Sequence, residues 1–273
     1  MIVQTAGPGE PAFVMTMAEH TLFAAALAEQ FGNEAFAAPL PRDLVLYLIA
    51  HHDAGWEALD ARALRDPATG LPFHLVQTPL EEIAKTSSAS PDINVRHHPY
   101  CGLLSSMHSW GLYNGRFGMS DKVLLDALRD EQRELLQPML EYEEARQRTL
   151  TAELEADPHT AAWVERGALM QNYKLLQFCD TLALYFNCTA EGHRERSVFI
   201  HVPVSAERDT DVEVTPLGEA TYAFDPWPFA QSELALSFSG RIVSPVASGD
   251  SMREQLDAAP EAEQTVVLRQ ALR

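Results

Sequence analysis

The 273-residue sequence has few cysteines, few basic residues and no long hydrophobic run. Its three cysteines, Cys101, Cys179 and Cys188, match neither a zinc ribbon nor a disulfide framework, which predicts buried thiols in a reducing cytoplasm. The strongest apolar stretch, residues 44–50, is far too short to cross a bilayer. Residues 1–10 have no basic start and no long apolar run, so we expect no signal peptide.

Basic residues are scarce: 20 lysines and arginines stand against 39 aspartates and glutamates, which gives a net charge of −19. Such a chain is poorly suited to nucleic acid or to an anionic membrane surface, so we expect a small-molecule partner. If that molecule is phosphorylated, an acidic chain needs a cation at the binding site. The sequence also lacks a phosphate-binding P-loop, a G-x-S-x-G elbow, an H-E-x-x-H helix and a C-x-x-C pair.

Hydrophobic residues make up 46% of the chain, which is enough for the core of one large domain. Helical patterns dominate residues 1–193, where one apolar helix leads into His52-Asp53. Alternating apolar residues in 194–246 predict a small antiparallel β element, and residues 247–273 have the composition of a polar tail. We therefore predict a mainly α protein: a helical bundle with a small C-terminal β element packed on it.

The most informative local pattern is the adjacent pair His52-Asp53 at the end of the apolar helix. An imidazole and a carboxylate in this arrangement can bind one divalent cation. His20 lies on the preceding helix, which a short proline-containing loop would fold back against the pair. Asp180 lies in the apolar run 175–184, where a carboxylate is costly unless a partner compensates its charge. These observations predict a metal site formed by His20, His52, Asp53 and Asp180.

Each of these residues also has a common structural explanation. A His-Asp dipeptide often occurs by chance, His20 could lie at the surface beside Glu19, and Asp180 could form a buried cap or salt bridge. His51 would point about a third of a turn away from its neighbour His52. The order of the residues is more specific than any one of them, and it favours a metal site over coincidence.

This order resembles the HD domain superfamily of metal-dependent phosphohydrolases, which are helical bundles with the ligand pattern H…HD…D. The chain is also similar, over about residues 10–245, to an uncharacterised HD-like family of unknown function. The matching segments are H-D-x-G-W at 52–56, G-x-P at 70–72, Tyr100 with Leu103, Leu104, Ser106 and His108, and P-x-P-F at 226–229. The resemblance implies an HD-like bundle in which a divalent metal (Mn, Fe, Mg, Co or Zn) is held by His20, His52, Asp53 and Asp180.

Some HD proteins bind a second metal through additional histidines, and here His98 and His108 are the candidates for a second metal or for the substrate. If one continuous helix carries both, they lie about 15 Å apart along its axis, so only one can join a compact cluster. We favour His108, which also fits the narrower family pattern. Arg96 and Lys174 could each offer a positive charge to a substrate anion, although a solvated surface charge is the more common role of such residues.

The sequence therefore predicts a cytoplasmic metal-dependent hydrolase, in which Asp53 and His108 are catalytic and a metal-activated water attacks a phosphate ester or nucleotide. One alternative is an HD-fold di-iron oxygenase that takes two further ligands from His74, His98 and His108. The other is a non-catalytic metal-binding sensor or scaffold that has kept the bundle and lost the activity.

Overall fold

The computed structural model describes residues 1–121, 123–247 and 249–272. Within these ranges the helices are α1 (Met17–Gln30), α2 (Arg42–His51), α3 (Glu57–Arg62), α4 (Leu80–His97), α5 (Pro99–Tyr113), α6 (Asp130–Ala156), α7 (Arg166–Cys188) and α8 (Met252–Ala258). The strands are β1 (Ile2–Val3), β2 (Ala12–Met15), β3 (Ser197–Pro203), β4 (Asp209–Gly218), β5 (Thr221–Asp225), β6 (Glu233–Val243) and β7 (Glu261–Gln270). None of the helices in this described part combines the length and the hydropathy that spanning a membrane requires.

The strands of the described residues form one seven-stranded sheet in the order β1-β2-β6-β7-β5-β4-β3. The sheet is mixed, because β5 and β7 run parallel and every other neighbouring pair is antiparallel. β7 lies inside the sheet, where Val266 pairs with Leu236 of β6 and Leu268 pairs with Tyr222 of β5. A strand near the C-terminal end of the sequence therefore joins the two halves of the sheet.

The predicted fold class, a mainly helical bundle with a small C-terminal antiparallel β element, is wrong: the protein is α/β, with a seven-stranded mixed sheet. Strands were expected within 194–246, but residues 2–15 contribute β1 and β2, and residues 261–270 contribute β7. The sheet is thus assembled from three separate parts of the chain. Such pairing between distant segments leaves little trace in local periodicity.

Residues 247–273 were expected to form a polar tail with at most a short helix; they contain the short helix α8 and also the central strand β7, which was not expected. The more buried residues of β7 alternate with exposed ones, as a strand requires. Only Val266 and Leu268 are both apolar and fully buried. The charged and polar start of the strand, E-A-E-Q-T, conceals the alternation from a reading of hydrophobicity alone.

One hydrophobic core connects the sheet to helices α1 and α7. Phe23 of α1 packs against Phe238 of β6, with 4.8 Å between the ring centroids. Phe186 of α7 packs edge-on against Tyr222 of β5 at 4.9 Å. Burial of these aromatic rings holds α1 and α7 beside each other on the sheet, which positions the polar residues that the two helices carry.

Helix α5 is central to the helical part of the molecule and contacts α2, α4, α6 and α7. It is rich in small residues, and one of them, Gly102, allows α4 to approach closely: a Cβ at this position would lie 2.7 Å from the Cβ of Val95. Because α5 is buried on nearly all sides, a polar residue on it must face a partner in the interior.

Candidate metal centre

His20 is the fourth residue of α1, and local sequence fixes where this helix starts. Thr16 and Glu19 form a capping box, in which Glu19 N–H donates to Thr16 Oγ1 (3.2 Å) and Thr16 N–H donates to Glu19 Oε2 (2.7 Å). The imidazole of His20 follows directly and is completely buried. The cap therefore defines the helical turn that carries His20 into the core.

His52 and Asp53 directly follow α2, where the chain turns into a short 3-10 helix. Gly55 lies in this turn and packs directly against the backbone of α4. A Cβ at position 55 would lie 2.4 Å from the carbonyl oxygen of Thr86 and 2.6 Å from the backbone nitrogen of Ser90. Backbone atoms cannot yield as a flexible side chain can, so glycine is required for the turn that presents His52 and Asp53.

We expect Gly55→Ala to lower the free energy of unfolding by about 3 kcal/mol, because the added methyl group must push the turn away from α4. The same displacement moves His52 and Asp53, so bound metal should fall as well. Chemical denaturation and elemental analysis measure the two effects. Gly192→Ala is the matched control, since a Cβ there meets no atom within 4 Å. Equal stability of the two variants would contradict this role of Gly55.

His108 and Asp180 are supplied by α5 and α7, and both are deeply buried, with exposed fractions of 2% and 4%. The side chain of Asp53 is 16% exposed. Asp53, His108 and Asp180 line a cavity of about 90 Å³. The more exposed Asp53 therefore marks the side from which a small molecule can reach the buried groups.

The side chains of His20, His52, Asp53, His108 and Asp180 meet at one place, which we call the His-Asp site. His20 Nε2 lies 3.2 Å from Asp180 Oδ1, and His52 Nε2 lies 3.7 Å from the same oxygen. His52 Nε2 also lies 3.6 Å from Asp53 Oδ2. The ring of His108 stands edge-on to that of His52, with 5.0 Å between centroids.

The two ring nitrogens of His52 have different surroundings. Its Nδ1–H donates to the carbonyl oxygen of Ile49 at 2.8 Å, since a carbonyl can only accept. Its Nε2 is buried and has no hydrogen-bond partner, although two carboxylates lie near it. A histidine that binds metal usually donates the N–H of one ring nitrogen to a carbonyl or carboxylate oxygen and binds the metal through the other nitrogen, and His52 has this arrangement.

The charges of the His-Asp site oppose the effect of burial. Burial alone would lower the pKa of His52, but Asp53 and Asp180 outweigh it and raise the pKa to about 9. Burial would likewise raise the pKa of Asp180, yet the hydrogen-bond contact with His20 and the positive charge of the nearby His52 hold it well below its ordinary value. Burial and the neighbouring His52 lower the pKa of His108 to about 4. Positive charge beside Asp53 and Asp180 is thus favoured on His52, while His108 stays neutral.

The donor set fits a divalent cation. Two ligand atoms bound to one cation at about 2.1 Å lie about 3 to 3.5 Å apart in tetrahedral or octahedral geometry. The measured separations of 3.2, 3.6 and 3.7 Å among His20, His52, Asp53 and Asp180 are close to this range. Two subsets, His20 with His52 and Asp53, and His52 with His108 and Asp180, each place one ligand atom per residue within 4.8 Å of the others.

The structure brings the four predicted metal ligands together with His108, and it places the candidates His98 and His74 elsewhere, together with His51, which was expected to point away. His98 is the N-cap of α5, where its Nδ1 accepts from Tyr100 N–H at 3.0 Å. His74 Nδ1 accepts from Val3 N–H at 3.1 Å. His51 Nδ1 donates to the carbonyl oxygen of Tyr47 at 2.7 Å. None of these three belongs to the His-Asp site.

Two residues of α7 that the sequence analysis did not identify support the site. Asn187 Oδ1 accepts from His20 Nδ1–H at 2.9 Å, which directs His20 Nε2 toward Asp180. Gln177 Nε2–H donates to His108 Nδ1 at 2.8 Å. Both residues lie on the same helix face as Asp180, three residues before it and seven after it. Helical spacing from Asp180 was the signal that could have found them.

A family described as "Protein of unknown function (DUF3891)" matches residues 1–245, a range that includes every residue of the His-Asp site. No curated protein and no solved structure matches the chain significantly.

Proposed function

Because the chain belongs to the DUF3891 family of proteins of unknown function, we propose its activity from the site itself: it is a metal-dependent hydrolase of the HD type that acts on a phosphate ester. His20, His52, Asp53 and Asp180 hold a divalent cation, and Asp53 and His108 take part in the reaction. The substrate is a small molecule, and neither nucleic acid nor a membrane is a partner.

The observation that carries this proposal is the buried, unpartnered Nε2 of His52 between two carboxylate oxygens. Leaving a buried polar atom without a partner costs about 1 to 3 kcal/mol, so a folded protein rarely tolerates it without a reason. Asp53 and Asp180 supply negative charge within 4 Å. A cation coordinated by all three groups satisfies the nitrogen and both carboxylates at once.

Imidazole ligands from His20 and His52 favour Fe, Mn, Co or Zn over Mg, which prefers oxygen ligands. A bound cation of this kind supplies Lewis acidity and lowers the pKa of a water molecule into the neutral range. Asp53 is the most exposed member of the predicted ligand set, so it is placed to orient a water at the solvent side.

His108 is better suited to contact the substrate than to bind a second metal. Gln177 Nε2–H donates to His108 Nδ1, so the neutral ring carries its proton on Nε2. The low pKa keeps the ring neutral near pH 7. A neutral imidazole with one fixed N–H is a hydrogen-bond donor, suited to a phosphoryl or leaving-group oxygen.

The di-iron alternative requires four histidines and two aspartates. Among the described residues, the His-Asp site holds three histidines and two aspartates, while His74 and His98 make other hydrogen bonds. This geometry favours the hydrolase. The scaffold alternative keeps the same metal site and differs only in having no turnover, so an assay of turnover separates the two.

We place the activity in the cytoplasm, because Cys101, Cys179 and Cys188 are unpaired thiols. Burial raises the pKa of the Cys101 and Cys188 thiols to about 12, which keeps them protonated and unreactive.

The direct test is elemental analysis of the purified protein together with hydrolysis of 4-nitrophenyl phosphate and bis(4-nitrophenyl) phosphate in the presence of Mn²⁺. We expect roughly one metal ion per chain and turnover of the monoester or the diester that a chelator abolishes. Metal without turnover of either compound would favour the scaffold. Absence of metal, with a melting temperature that Mn²⁺ does not change, would rule out the metal site itself.

A further inference from the structure

A cavity of about 360 Å³ lies beside the His-Asp site, between α7, β3 and the turn that follows α5. A second cavity of about 450 Å³ adjoins it and shares Met119, Lys174 and His201 as lining residues. The two form one continuous depression, which we call the basic groove. Its volume lies in the range typical of pockets that bind small molecules.

The charge of the basic groove is opposite to that of the chain. Among the residues that the structure describes, its lining holds three basic side chains, Arg116, Arg166 and Lys174, and one acidic side chain, Asp209. The whole sequence has 20 basic and 39 acidic residues, so a random surface would carry about two acids for each base. A basic depression on such a chain attracts an anion, whereas the acidic remainder of the surface repels it.

Arg116 links the basic groove to the His-Asp site. It lines the groove and also the small cavity that Asp53, His108 and Asp180 line. Lys174 forms an ion pair with Asp209, but Arg116 has no ion pair or side-chain hydrogen bond among the described residues. An unpaired guanidinium can bind a phosphate through two parallel hydrogen bonds.

The backbone at Arg116 is strained. Arg116 and Phe117 have φ of 50° and 57°, the left-handed region, where each non-glycine residue costs about 1 to 2 kcal/mol. Strain of this kind persists when the surrounding structure requires it, and it is concentrated at sites of function. Here the strained turn brings the Arg116 side chain to the junction of the two cavities.

Part of the wall of the basic groove is aromatic. Phe178 of α7 and Phe199 of β3 pack edge-on with 5.9 Å between ring centroids, and Tyr185 packs edge-on against Phe199 at 6.0 Å. Val198 and Ile200 of β3 are each 54% exposed and extend this apolar wall. An anionic ligand with an apolar or aromatic portion suits both sides of the groove.

From these observations we infer that the basic groove is the substrate compartment of the His-Asp site, that its ligand is a phosphate ester with an aromatic group, and that Arg116 binds the phosphate. This inference rests on the proposed function, because it assigns the substrate class of the same site. Lys174, which the sequence marked as a possible anion contact, lines the groove as part of an ion pair with Asp209.

Binding to metal-free protein tests the inference without turnover. The measurement is titration calorimetry of phenyl phosphate into chelator-treated protein. We expect a dissociation constant in the millimolar range or lower, about fivefold lower than that of inorganic phosphate. Arg116→Gln should weaken phenyl phosphate binding at least tenfold, because it removes charge-assisted hydrogen bonds. Arg148→Gln on the exposed face of α6 is the charge-matched control and should bind within about twofold of the native protein.

Two further comparisons separate the ligand chemistries and the two proposals. Phe199→Ala should weaken phenyl phosphate binding several-fold and leave inorganic phosphate unchanged. Benzoate that binds as tightly as phenyl phosphate would identify the ligand as a carboxylate and overturn the phosphate assignment.

The outcomes also separate the two proposals. If phenyl phosphate does not bind the native protein, or binds Arg116→Gln equally well, the groove is not the substrate compartment even if the site holds metal. Conversely, Arg116-dependent binding by a protein that takes up no metal would refute the proposed hydrolase alone.

Discussion

Replacing His52 by alanine is expected to lower kcat/KM for 4-nitrophenyl phosphate at least about a thousandfold and to remove the bound metal. His52 Nε2 lies within 4 Å of both Asp53 Oδ2 and Asp180 Oδ1, so in the proposed site this ring is the ligand beside both carboxylates. Without it, both negative charges face each other across a buried space and the cation loses a ligand. Elemental analysis and steady-state kinetics give the two results.

His159→Ala is the matched control for this variant, because His159 is an exposed histidine outside the His-Asp site. It should keep both the metal and the activity. His52→Ala protein that is folded by circular dichroism, holds a full equivalent of metal and turns over at the native rate would show that the His-Asp site is a buried polar cluster without a metal role.

Metal affinity should rise about tenfold for each unit of pH up to pH 9, so that Mn²⁺ binds about a hundredfold more tightly at pH 8 than at pH 6. In the metal-free protein the pKa of His52 is raised to about 9, so the ring is protonated at neutral pH and the cation must displace that proton. Titration calorimetry in buffers of different ionisation enthalpy should detect about one proton released per ion at pH 7.5.

The same raised pKa affects the stability of the metal-free protein. Its folded-state value of about 9 exceeds the ordinary 6.5, so the bound proton stabilises the fold fully below pH 6.5, and this contribution is lost as pH rises through 9. His52→Gln should remove both the proton release and this dependence, because glutamine does not titrate. No proton release by the native protein between pH 6.5 and 8 would exclude the displacement of a proton by metal.

The fold and the site differ in how far the sequence predicted them. His52 and Asp53 are adjacent, and their position after an apolar helix could be read directly. His20 and Asp180 could be read because each is a polar residue in an apolar helical segment. Their roles as ligands stay a prediction, but the structure places His52 within 4 Å of both aspartates and His20 3.2 Å from Asp180.

The misjudged parts depend on contacts between distant residues. β7 pairs with β5 and β6 although its sequence begins with alternating acids, and its place in the sheet depends on partners up to 46 residues away in sequence. Arg116 gave no signal at all. Its importance arises from a strained turn that brings it to both cavities, and no local spacing encodes that position.

The sequence by itself determined which donors the protein owns and which helices carry them, because residue chemistry and helical periodicity are properties of short segments. The sequence also determined the acidic net charge, against which a groove lined by basic residues is unusual. Only the tertiary structure decided that a seven-stranded sheet supports α1 and α7, that Asn187 and Gln177 fix the histidine rings, and that Arg116 opens toward the site. Those features come from packing between segments far apart in the chain, where the free energy of burial, not local preference, selects the arrangement.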